Sequence, residues 1–146
     1  MNETNAILAD IKKKFGPRVS QTNIRNEKRV SLVIPREALL EIAEYLHHVV
    51  KLRFIIASAL ESKAGFEIYY HFSNDETGLI LNLHVILPGK EPEIQSLTSL
   101  FEATNWIERE IHEILGITFP GHPNLEKLIS EGNWAEGVYP YRKEYL

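Results

Sequence analysis

Glu108 and His112 stand four residues apart in Asn105-Trp106-Ile107-Glu108-Arg109-Glu110-Ile111-His112-Glu113, the densest polar stretch of the chain. On a helix that spacing puts a carboxylate and an imidazole on one face, the raw material of a metal site or an acid–base pair, with Arg109 placed to pair Glu113 one turn on. The set falls short of such chemistry: a hydrolytic zinc usually takes three protein ligands, and no His-Glu-x-x-His order occurs. Ion-paired helix surfaces are the commoner use of these residues. A metal-binding enzyme built on Glu108, His112 and Glu113 is therefore only an alternative reading. Of the other histidines, His47 and His48 are adjacent and cannot face one another on a helix, whereas His71 and His84 fall on neighbouring strands as possible cross-strand partners. His122, between Gly121 and Pro123, reads as a turn residue bonding local backbone. No serine sits in a Gly-x-Ser-x-Gly setting, and the glycines form neither a dinucleotide nor a phosphate-loop fingerprint. No catalytic, cofactor-binding or metal residue is expected.

Asn105 with Glu108 three residues later fits a capping box, and Gly116 after Leu115 fits a left-handed stop, within an apolar pattern running from about Leu97 to Leu115. Upstream, Ile7, Leu8, Ile11 and Phe15 fall at helical spacing before Gly16-Pro17, and Leu39, Ile42, Ala43, Leu46 and Val50 form a second stripe after Pro35. Strands are expected at Val19 to Asn26 and Arg29 to Ile34, a hairpin, and at Arg53 to Leu60, Phe66 to Phe72 and Leu79 to Leu87, a meander. Phe66, Ile68, Tyr70 and Phe72 oppose Glu67, Tyr69 and His71, which predicts a sheet with one covered and one mixed face. The fold class is α+β: a mixed, largely antiparallel sheet flanked by helices, as one domain over 1–118, with an extended carboxy-terminal arm over 119–146.

The chain has 146 residues, 44% hydrophobic and 25% charged, and no cysteine. That excludes disulfides, thiolate nucleophiles and thiolate-held clusters in this chain. No apolar run approaches the ~20 residues of a membrane helix, and the amino end lacks the order of a secretory signal. A net charge of −4 argues against nucleic acid as a partner. The charge is uneven: residues 1–36 hold eight bases against three acids, or +5, leaving −9 elsewhere. From Phe119 onward the sequence carries Trp134, Tyr139, Tyr141 and Tyr145 with Arg142 and Lys143 and few aliphatics, the composition of an interface or of an arm folded back on its own sheet.

Three motifs in order, Trp106-Ile107-Glu108-Arg109-Glu110, Gly116-Ile117-Thr118-Phe119-Pro120-Gly121-His122-Pro123 and Pro140-Tyr141-Arg142-Lys143-Glu144-Tyr145, resemble the 30 kDa family (the C subunit) of respiratory complex I and its hydrogenase relatives. The family shows two bases after the His-Pro turn; here Glu126 replaces the first and Lys127 keeps the second. The resemblance implies a non-catalytic hydrophilic subunit with no cofactor of its own, on the cytoplasmic face of the membrane. It would pack against a large catalytic subunit, of the complex I 49 kDa or the hydrogenase type, near a small iron-sulfur subunit, with membrane subunits reached indirectly. Iron-sulfur clusters and a possible nickel-iron centre would belong to those partners. Trp106, Glu108, Arg109, Glu110, His112, Phe119, His122, Trp134, Tyr139, Tyr141, Arg142, Lys143 and Tyr145 then become partner-interface residues, some of them serving to order the helix. His112 and the end at Leu146 without a fused large-subunit domain point to an energy-converting nickel-iron hydrogenase, with a quinone-reducing complex I-type dehydrogenase as the alternative.

Overall fold

Ile11 and Phe15, one helical turn apart, are the buried anchors of α1 (Glu3–Phe15) in the computed structural model, which describes residues 3–125 and 137–145. Gly16, at φ +52°, ends the helix in the left-handed region, and Pro17 lies in the 3-10 turn that follows. The hairpin of β1 (Gln21–Asn26) and β2 (Arg29–Val33) closes over Glu27-Lys28, where the Asn26 side-chain oxygen accepts the Lys28 N–H at 2.8 Å. Helix α2 (Leu39–His48) buries Leu39, Ile42, Ala43 and Leu46, the expected stripe. It stops two residues short of Val50, ahead of Lys51, whose φ of +66° is left-handed.

Then come β3 (Arg53–Ser62), β4 (Gly65–Asn74) and β5 (Leu79–Leu87), and α3 (Thr104–Leu115). The five strands form one sheet in the order β1-β2-β5-β4-β3. Connections of two and four residues join β3 to β4 and β4 to β5, as antiparallel neighbours allow. β2 runs parallel to β5, with Val30 opposite Leu81 and Leu32 opposite Leu83. The sheet is therefore mixed, and the α+β class read from the sequence holds.

Packing divides the chain into two compact units, residues 1–55 with 69–85 and residues 56–68 with 86–146. In the first, Val30, Leu32, Leu81 and Leu83 are buried on the covered side of the sheet, and Phe15 meets Tyr45 edge-on at 5.3 Å. On the mixed side His71 Nδ1 donates to Asn82 at 2.7 Å, and Asn82 donates to Ser31 at 3.2 Å. Tyr69 stacks on His84 at 4.1 Å and lies parallel to His71 at 6.4 Å, so a tyrosine links the two imidazoles.

The second unit buries Phe66, Ile68, Leu87, Ile94, Leu97, Phe101, Ile111, Leu115, Ile117 and Phe119. Residues 92–96 run beside 118–120. The Ile94 N–H donates to Thr118 O and the Thr118 N–H to Pro92 O, both at 3.0 Å, and the Ser96 N–H reaches Pro120 O at 2.9 Å. The helical pattern that runs from about Leu97 becomes helix only at Thr104, one residue before Asn105, where the sequence places the cap. Ser96 Oγ takes the Thr98 N–H, Glu108 takes the Leu97 N–H, and Leu97 to Phe101 close as a turn instead. Side chains that bond nearby backbone in this way compete with a helix.

Candidate docking surface

The capping box does not form. Ala103 is the N-cap and bonds nothing with its side chain; Asn105, already inside α3, donates to Glu102 at 3.3 Å. Glu108 turns inward instead and is 0% exposed. One carboxylate oxygen accepts Ser96 Oγ at 2.5 Å and Thr98 Oγ1 at 3.0 Å; the other accepts the Leu97 N–H at 2.8 Å. Thr104 extends the network, its hydroxyl 3.2 Å from that of Thr98 and donating to Phe101 O at 2.8 Å. Burial pushes the Glu108 carboxyl up, and the bonds from Ser96, Leu97 and Thr98 pull it partly back. A buried carboxylate with this many donors is a structural clasp between α3 and the loop before it.

The same geometry gives the metal reading of Glu108, His112 and Glu113 no support. Glu108 spends both oxygens inside the chain, and His112 Nδ1 donates to Ile117 O at 2.9 Å. Among the described residues no group of three or more His, Asp or Glu could hold a metal. Glu113 is buried, and Arg109 and Glu110 are half-buried.

Gly116 stops α3 at φ +78°, ψ +20°, as its position predicts. The last carbonyls of the helix are then taken by residues far along the chain. Tyr141 N–H donates to Ile114 O at 2.9 Å, and Arg142 Nε donates to Leu115 O at 2.7 Å. The Arg142 guanidinium lies over the rings of Phe66 at 4.9 Å and Tyr139 at 4.7 Å, and the Lys143 N–H reaches Glu61 at 2.7 Å. A cation at the negative end of a helix is favourable in itself, and the two rings add cation–π attraction. A Cβ on Gly116 would come within 2.6 Å of Tyr139 and 2.7 Å of Arg142, so the arm can sit here only against glycine.

His122 pins the loop after Phe119: its Nδ1 accepts the Asn124 N–H at 2.9 Å, and its Nε2 therefore carries the proton donated to Asn105 O at 3.0 Å. What remains outward is aromatic. Trp106 on α3 is 68% exposed and Tyr141 in the arm 62%, with Lys143 also exposed. Phe119 is buried, and Tyr139 and Arg142 are half-buried. Tyr145 ends the last 3-10 turn, Lys143–Tyr145. Trp134, Glu126 and Lys127 lie outside the described residues. Sequence reasoning missed the partners of these groups: Ser96, Thr98 and Thr104 around Glu108, and Glu61 and Phe66 under the arm. No local spacing links any of them to what they hold.

A mixed five-stranded sheet, an amphipathic helix with an internal carboxylate clasp, and a carboxy-terminal segment seated on that helix's end make up a small α+β fold. The chain belongs to the family described as the 30 Kd subunit of respiratory-chain NADH dehydrogenase, whose family model matches residues 32–146. This upholds the resemblance drawn from the three motifs. The chain is 30% identical over 152 residues to the C/D subunit of NADH-quinone oxidoreductase from Proteus mirabilis (strain HI4320), covering 95% of itself and 25% of that relative. It thus spans about a quarter of the length of such C/D relatives. To the C subunit of F420H2 dehydrogenase from Methanosarcina mazei it is 27% identical over 146 residues, 98% of this chain and 92% of that one. Among solved structures it shares its fold with a chain of the membrane-bound sulfane sulfur reductase, an archaeal respiratory membrane complex, at TM-score 0.87 and 19% identity, over 99% of this chain and 86% of that one. It also shares it with the trypsin-resistant fragment (1-134) of Nqo5 at TM-score 0.69 and 21% identity, over 83% and 98%. No helix among the described residues is long and apolar enough to cross a membrane.

Proposed function

We propose that this chain is a non-catalytic subunit in the peripheral part of a membrane-bound redox complex, where it docks on a large catalytic subunit. The observation that carries the reading is the pair of exposed aromatics, Trp106 and Tyr141, held on rigid supports: α3 through the Glu108 clasp, and the arm through Arg142. Large aromatics presented on an ordered frame lose little entropy on binding and dominate interface energies. The C/D relatives support a large partner, since the matched quarter there is joined in one chain to a longer remainder. In this reading iron-sulfur clusters, and any nickel-iron centre, reside in partner subunits, because a chain without cysteine offers no thiolate to hold them. Its place is on the cytoplasmic side of the membrane, held there by those partners.

The finer assignment favours a dehydrogenase-type complex over the nickel-iron hydrogenase expected from the sequence. The relatives named above are a quinone oxidoreductase and an F420H2 dehydrogenase. His112, one of the two grounds for the hydrogenase branch, has a local task at Ile117 O. Affinity purification of the tagged chain from its native membranes, followed by identification of co-purifying chains, tests both levels. A large subunit without paired Cys-x-x-Cys nickel ligands is expected. One that has them would restore the hydrogenase reading, and purification of the chain alone would overturn the docking role.

A further inference from the structure

Strand β1 is an edge of the sheet: it pairs with β2 alone, and all six of its residues are exposed. Neither Pro nor Lys guards it, although a register shift falls between Ile24 and Asn26. An edge strand offers half of its backbone donors and acceptors to an incoming chain. Its two sides differ in chemistry. On one, Thr22 and Ile24 line a groove with Leu8 and Lys12 of α1, Val19 and the buried Leu32. Ile24 is 58% exposed there, an apolar side chain left largely in water. On the other, Asn23, Arg25, Arg29 and Ser31 line a shallow hollow that Thr22 and Ile24 also border.

We propose that β1 is a docking edge for an extended acidic segment of a partner protein, which would add a sixth strand to the sheet. Side chains alternate across an added strand, so one set would enter the groove by Leu8, Val19 and Ile24 while the other faces Arg25 and Arg29. The matching sequence alternates apolar and acidic residues. Charge selects the acids: Lys12 lines the groove and Arg25 and Arg29 line the hollow, whereas Arg18 and Arg36, also among the bases of residues 1–36, are paired with Glu41 and Glu37. A protein segment fits better than nucleic acid because β1 and β2 carry no aromatic on which a base could stack. A linear edge with two unlike sides also reads an extended chain, not a flat bilayer. The surface belongs to the first unit, and the proposal does not rest on the arm or on the reading above.

The test uses the full chain and a short labelled peptide alternating valine and glutamate, with a valine–lysine peptide as control. The glutamate peptide should bind in a salt-sensitive manner and slow hydrogen exchange of the amides in 21–26, and the lysine peptide should not. Arg25→Glu with Arg29→Glu should weaken binding about tenfold or more, and Ile24→Ala should weaken it without changing the thermal midpoint. The proposal is overturned if neither peptide binds, if both bind alike, or if binding leaves 21–26 unprotected. Binding of anionic vesicles or nucleic acid through the same arginines without peptide binding would overturn it too, as would self-association abolished by Arg25→Glu.

Discussion

Arg142 closes the carboxyl end of α3 by donating from Nε to the Leu115 carbonyl, 27 residues earlier in the chain, at 2.7 Å. The same guanidinium rests on Phe66 and Tyr139, so one side chain ties a helix end, a strand and the arm into a single cluster. Arg142→Ala should lower the unfolding free energy by about 2–3 kcal/mol. Arg142→Lys should recover only part of the loss, since a point charge cannot hold the carbonyl and cover both rings together. Denaturant unfolding of the three proteins checks this; full recovery by lysine would leave charge alone as the cause.

Glu108→Ala should destabilise by about 2–4 kcal/mol at neutral pH, because it leaves the Leu97 N–H and the Ser96 and Thr98 hydroxyls without their acceptor in a buried site. Glu108→Gln should cost much less. Its oxygen can keep the Leu97 N–H while its amide faces the two hydroxyls, which can turn to accept.

The pH dependence of that position has a definite sign. Burial raises the folded-state carboxyl above 4.5, so the native chain holds this proton more tightly than the unfolded chain does. The Glu108 contribution is therefore most favourable below about 4.5 and declines as pH climbs through the raised folded value. The stability of the natural chain relative to Glu108→Gln should fall from pH 4 to pH 8 in equilibrium unfolding. A gap that widens in favour of the natural chain would contradict the assignment.

Asp75 behaves in the opposite sense. Arg53 at 2.9 Å and Ser73 at 2.6 Å hold its carboxyl at about 2, below the ordinary 3.8. Its stabilising contribution is present above 3.8 and is lost as pH falls toward 2. Arg53→Gln should thus lower the thermal midpoint slightly at pH 6 and much less at pH 2, where the carboxyl is near its own midpoint. Because the pair is exposed, salt should shrink the difference.

Trp106→Ala and Tyr141→Ala should leave folding intact, since both side chains are largely in solvent. Each should weaken attachment to the large subunit by at least about 30-fold if it is an interface anchor, a loss of roughly 2 kcal/mol. Retention of the partner by the double variant through a salt wash would remove these residues from the interface.

The sheet and the first two helices were legible because their apolar residues repeat at period 2 or 3.6, and burial follows that repeat directly in Leu39, Ile42, Leu46 and in Leu79, Leu81, Leu83. The start of α3 is legible to within one residue of Asn105, but what holds it there is not. Asn105 and Glu108 satisfy a local capping rule, yet Glu108 is claimed by Ser96 and Thr98, which that rule does not reach. Arg142 is a similar case. Composition marks it as interfacial, but its fixed partners, Leu115 and Phe66, are distant in sequence and carry no pattern tying them to it. Periodicity reports which side of an element is covered, and it is silent on which loop a buried polar group will gather.

Gly116 serves two tasks at one position: its left-handed backbone ends α3, and its missing side chain leaves the space that Tyr139 and Arg142 occupy. Helix length and arm attachment are therefore not separate variables in this fold. A change that lengthened α3 by a turn would also unseat the arm, so under the proposed docking role Trp106 and Tyr141 can change far more freely than the frame that presents them.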